Sequence, residues 1–128
     1  MQFNSYAQKC DDFNQGVFDG DLMGIKYVVE RYDKFQLEKM AQFEVVYLHT
    51  VEKITECENI VKRYKVIQQG KFPKPNMTEA IKVTFYKIEG EKLFYKANII
   101  GTEITLEGYF IKISNEISDD FKKILEKE

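Results

Sequence analysis

Hydrophobic and polar residues change their spacing partway along the 128-residue chain. Up to about residue 70 the apolar positions recur at three and four, the spacing of one helix face. Phe3, Tyr6, Ala7, Cys10 and Phe13 form a first stripe, and the glycines between Gly16 and Gly24 interrupt it. Leu22, Ile25, Val28, Val29 and Tyr32 form a second, which predicts a helix over 21–32. Asp33 stands three residues before Gln36 as in a capping box, so a third helix is expected to start at Lys34. No Gly or Pro follows until Gly70, with Pro73 and Pro75 close behind as a stop signal. An unbroken helix of about 36 residues would span roughly 54 Å. A domain of this length is only roughly 36 Å across. The helix must therefore break, for which Thr55 and Glu58 offer a second capping box, or project towards a partner.

From Glu79 the period becomes two. Ile81, Val83 and Phe85 alternate with polar or outward positions, as do Leu93, Tyr95, Ala97 and Ile99, then Ile104, Leu106, Gly108 and Phe110. A one-residue slip exchanges the two faces of a strand, so the apolar positions fix the register. They pair Ile81 with Ile99, Val83 with Ala97 and Phe85 with Tyr95, which calls for an odd-numbered loop around Gly90. They also pair Ile99 with Ile104, Ala97 with Leu106 and Tyr95 with Gly108. Ser118 then caps a last helix, with Asp119 and Asp120 in its first turn and Ile117, Phe121, Ile124 and Leu125 as its apolar stripe.

These elements predict an α+β fold in a single domain, 1–128. An N-terminal helical hairpin and a long third helix make up a helical half, 1–70, packed on a three-stranded antiparallel meander. The Pro-containing segment 71–78 connects that half to the sheet and C-terminal helix of 79–128. A four-stranded sheet, turning at Glu107–Gly108, is the alternative.

The composition, 44% hydrophobic and 31% charged with ten Phe and eight Tyr, is that of a globular chain. No apolar run reaches membrane-span length, and the N-terminus carries no basic-then-apolar leader pattern. Cys10 and Cys57 fit no disulfide framework, which leads to an expectation of reduced thiols and a cytoplasmic location. The net charge of −2 conceals an asymmetry: residues 1–59 carry 6 basic and 11 acidic side chains, whereas 60–78 carry five basic and none acidic.

The stretch from Asp19 to Glu30, DGDLMGIKYVVE, places Asp19, Asp21, Gly24 and Glu30 at calcium-loop positions. Met23 and Lys26 occupy positions that a calcium loop does not give them, and helical spacing cannot wrap an ion. The same residues resemble the inner turn of an ankyrin repeat, but no second copy recurs at a spacing of about 33, so a solenoid is ruled out. His49 is the only histidine, and Cys57 lies too far along the chain to pair with it within one helix. No phosphate-binding glycine loop and no nucleophile elbow occurs. No catalytic residue, metal or cofactor is assigned.

Two surfaces are candidates for a partner. One is the basic island Lys62, Arg63, Lys65, Lys71 and Lys74. The other is a row of Tyr86, Phe94 and Tyr109 aligned across the outer sheet face, with Lys96 beside it. That row is either free or covered by the C-terminal helix. The reading that follows is a small non-enzymatic interaction protein of inhibitor or immunity type, binding a protein or dimerising through the 34–69 helix. A nucleic-acid binder using 62–74 and the aromatic row is one alternative. A small-ligand binder or enzyme with a helix–sheet pocket near Tyr47, His49 or Tyr95 is the other.

Overall fold

The stretches 21–32 and 34–69, which the spacing of three and four assigns to helices, form strands and the turns between them. The computed structural model describes residues 10–71 and 73–128. Eight antiparallel strands run β1 (Gly16–Leu22), β2 (Ile25–Tyr32), β3 (Phe35–Met40), β4 (Val45–Thr55), β5 (Glu58–Gln68), β6 (Ala80–Glu89), β7 (Lys92–Ile99) and β8 (Thr105–Ser114). Each pairs with the next and β8 returns to β1, so the sheet is a closed up-and-down barrel. One helix, α1 (Asp119–Glu126), follows. The α+β fold with an N-terminal helical hairpin and a long third helix is therefore incorrect. The helix over 34–69 that was to carry a homodimer is β3, β4 and β5. The first predicted helix lies mostly outside the described residues. Within them, Cys10 and Asp11 are helical and a 3-10 turn, Asp12–Asn14, leads into β1.

Signals read as helix caps are hairpin turns. Met23 and Gly24 form a two-residue turn with φ of 53° and 91°, the left-handed pair that matches strand twist. Asp21 steadies it by accepting a hydrogen bond from the Gly24 N–H at 2.9 Å. Asp33, with φ of 56°, turns β2 into β3, and Thr55 accepts from the Cys57 N–H at the β4–β5 turn. Asp and Thr favour such local side-chain bonds wherever the chain reverses, and helix starts share them.

Alternation is lost in β2–β4 because both faces are covered. Inside the barrel lie Val29, Arg31, Gln36, Tyr47 and His49; on the outer face Leu37 and Leu48 are fully buried beneath α1 and its Phe121. Ser118 caps α1 by accepting from the Phe121 N–H at 3.2 Å. The cap is itself anchored to the barrel: the buried carboxylate of Glu30 accepts from the Ser118 N–H (2.7 Å) and hydroxyl (2.8 Å) and pairs with Lys39 (3.1 Å).

In the C-terminal half the predicted registers are present. Phe85 pairs with Tyr95, Val83 with Ala97, Ala97 with Leu106 and Tyr95 with Gly108. The parity assigned to an odd loop comes instead from a bulge at Tyr86, followed by a two-residue Gly90–Glu91 turn. β8 runs straight through Glu107–Gly108, so there is no turn there.

One end of the barrel is plugged. Phe13, in the 3-10 turn, packs against Phe18, Phe110 and Phe85 at centroid distances of 4.1, 4.5 and 5.0 Å. A disulfide between Cys10 and Cys57 ties this plug to the β4–β5 turn, across a sequence separation of 47. The expectation of reduced thiols is corrected by that bond. No helix among the described residues is long and apolar enough to cross a membrane.

Candidate functional site: the barrel cavity

Because side chains alternate along every strand, the inward positions of eight strands must fill or line one space. Above the Phe13 plug they leave a cavity of about 340 Å³. Its two sides differ in chemistry. Ile81, Val83, Ala97, Ile99 and Leu106 from β6–β8, with Leu22 from β1, form an apolar wall. Arg31, Gln36, Glu38 and Arg63 from β2, β3 and β5 form a polar one, with Glu79 beside the last of these.

Two tyrosines bridge the walls. Tyr27 lies over Gly20 and Tyr95 over Gly108, and their hydroxyls hydrogen-bond to one another. A Cβ at position 108 would stand 2.3 Å from the backbone oxygen of Asp21 and 2.7 Å from the Tyr95 hydroxyl. Only glycine lets the ring settle there, which accounts for the predicted pairing of an aromatic with a glycine gap. Burial raises both hydroxyl pKa values, so the pair is neutral.

The polar floor is built on Arg31. Its Nε donates to Gln36 Oε1 at 2.8 Å and its Nη2 to Asn59 Oδ1 at 2.9 Å, and its guanidinium lies 4.5 Å from the centre of the Phe13 ring. Burial lowers its pKa from 12.5 to about 9, which leaves it charged at neutral pH. Arg63 donates to Glu79 at 2.7 Å, while its Nε is buried without a hydrogen-bond partner. Glu38 lines the cavity and is half-buried there. That desolvation raises its carboxyl from 4.5 to about 7, with Arg63 pulling the other way. His49, also inward, is held neutral: burial first, then Arg63 and Arg31, lower its pKa from 6.5 to about 3, and its Nδ1 has no hydrogen-bond partner.

The basic island does not assemble. Arg63 points into the barrel, Lys62 stands exposed on β5, and Lys65 pairs with Glu128 at the end of α1. Lys71 pairs with Glu44 at 3.3 Å, and Lys74 is exposed in the connector. The aromatic row does come together on the barrel's outer face, with Tyr86–Phe94 and Phe94–Tyr109 centroids 6.5 and 5.6 Å apart. α1 packs elsewhere, on β3–β4. Cations lie over each ring: Lys96 at 5.0 Å from Tyr86, Lys87 at 4.5 Å from Phe94 and Lys92 at 4.6 Å from Tyr109.

Tyr47, His49 and Tyr95, named as pocket candidates, all face inward. Arg31, Gln36, Glu38, Asn59 and Glu79 were missed. The signal for three of them was a polar side chain at an inward position, Arg31 on β2, then Gln36 and Glu38 two apart on β3. Among the described residues no group of three His, Cys, Asp or Glu side chains could hold a metal ion, the DGDLMG turn included.

The fold and cavity together define a closed antiparallel barrel with an amphipathic interior. No protein-family model matches the chain, nor does any curated protein or solved structure.

Proposed function

We propose that the protein is a small-ligand-binding barrel that holds one amphipathic molecule above the Phe13 plug. The observation that carries this reading is the cavity itself. Its 340 Å³ falls in the range of small-molecule sites, and one apolar wall faces a few convergent polar groups. Eight strands give an interior wide enough either to be filled by side chains or to hold one small ligand. Here the inward polar residues leave it unfilled. The disulfide supports placing the protein in an oxidising compartment rather than in the cytoplasm.

Filling the cavity tests the reading. Ala97→Leu, on the apolar wall, should abolish binding of a ten-carbon amphiphile in calorimetry while the barrel stays folded. Unchanged affinity in a folded Ala97→Leu variant would place the ligand elsewhere.

A partner-binding role is a second reading, and the uncovered Tyr86, Phe94 and Tyr109 row with its lysines favours it. Its partner would be a protein presenting carboxylates to Lys87, Lys92 and Lys96. A Phe94→Ala, Lys87→Ala variant should lose a partner retained by the wild-type protein in pull-downs from its native host. Retention of that partner by the variant would remove this surface from consideration.

A further inference from the structure

The two walls of the cavity also bear on what the ligand carries, and this step rests on the ligand-binding reading above. The charged groups facing the space are Arg31, Arg63, Glu38 and Glu79. Arg63 and Glu79 neutralise each other by contact at 2.7 Å. Arg31 has no such partner: its bonds go to two neutral amides, and among the described residues no carboxylate pairs with it. The remaining residues, 1–9 and 72, contain no Asp or Glu that could supply one. A buried cation without an anion is costly, and native interiors seldom keep one without a use. A guanidinium has five N–H donors, and Gln36 and Asn59 account for the two nitrogens named above, so donor capacity remains.

A second observation points the same way. Arg63 Nε, a donor only, is buried with no acceptor, on the same polar wall. Glu38 makes no hydrogen bond among the described residues, and in its protonated form it is a donor as well. The two arginines therefore leave N–H donors unused on the polar wall, and the wall opposite it is hydrocarbon.

We propose that the ligand is an amphiphile with a single carboxylate head, held by Arg31 on the cavity floor, its apolar tail lying along β6–β8 towards the open end. The floor position of Arg31, beside the Phe13 plug, puts the head at the deepest point and the tail towards the mouth. Glu38 and Arg63 face the chain just above the head. Tyr27 and Tyr95, paired to each other, close the side.

Calorimetric titration with decanoate, decanol and decylamine near pH 7 separates the head from the tail. The wild-type protein should bind decanoate at least about tenfold more tightly than decanol, the value of one hydrogen bond to a charged group. Arg31→Met should bring decanoate down to the decanol level and leave decanol unchanged. Replacing a buried, unpaired charge with a side chain of similar length is not expected to unfold the barrel. Should that variant fail to fold, Arg31→Lys keeps the charge without the planar fork and should retain a reduced preference for decanoate. Equal affinity for decanoate and decanol would overturn the carboxylate head while leaving the cavity as a ligand site. Tightest binding of decylamine would overturn it too, with Glu38 as the anchor. Absence of binding by all three would overturn the ligand-binding reading itself.

Discussion

Glu38 and His49 sit on neighbouring inward-facing strands and are pushed off their ordinary pKa values by the same burial, with opposite consequences for stability. Glu38 keeps a proton in the folded barrel that the unfolded chain releases, so between pH 4.5 and about 7 its contribution falls as pH rises. His49 refuses a proton that the unfolded chain takes up, so between about pH 3 and 6.5 its contribution rises with pH. The two slopes oppose each other where the windows overlap. Denaturation midpoints of a His49→Gln variant should therefore fall from pH 4.5 to 7 more steeply than those of the wild type, and Glu38→Gln should reverse that trend. Identical pH profiles for all three proteins would contradict the burial of these groups. Gly108 offers a steric test at the same scale. Gly108→Ala forces a methyl against the Asp21 backbone and the Tyr95 ring and should cost about 1–3 kcal/mol in urea denaturation, as overpacking does.

Two elements outside the strand ladder hold the barrel, and each can be removed. Phe121 is fully buried between α1 and the outer faces of β3 and β4. Phe121→Ala should destabilise by about 3–5 kcal/mol, measured by chemical denaturation. The plug depends on the Cys10–Cys57 bond, and replacing both cysteines with serine should cost about 2–5 kcal/mol by the same measurement. These elements also show why the sequence was legible in one half and misleading in the other. β6–β8 have one clean apolar face, so Ile81, Val83, Phe85 and Tyr95 alternate and their registers can be read directly. β3 and β4 are covered by α1 outside, and β2–β4 carry Arg31, Gln36, Glu38 and His49 inside, so their hydrophobic positions fall at spacings that imitate a helix. The inward polar residues that form the floor of the candidate site are the ones that erased the strand signal. The absence of Gly and Pro between Gly24 and Gly70 reinforced the error, because Asp33 and Glu44 take up the left-handed backbone positions that glycine usually marks. The α1 cap and stripe were legible because Ser118, its two following aspartates and Phe121 act locally.

The barrel as a whole separates an inner surface from an outer one, and the two candidate functions lie on opposite sides of that division. An up-and-down barrel has no free sheet edge, which leaves its interior and its outer faces as the places for recognition. The interior carries the unsatisfied groups: the Arg63 Nε, the His49 Nδ1 and the unpaired Arg31. The outer row is already satisfied by its own lysines and by a hydrogen bond from Tyr86 to Glu107 at 2.7 Å. The balance of unmet interactions therefore favours the inside. The most direct test is an amide NMR titration of the isotopically labelled protein with decanoate. Binding in the barrel predicts saturable shifts at Glu38, Arg63, Tyr95, Ala97 and Ile99, with Lys62, Lys65 and Glu107 unmoved. Shifts confined to Tyr86, Phe94 and Tyr109 on the outer row, or no saturable shift at any residue, would contradict it.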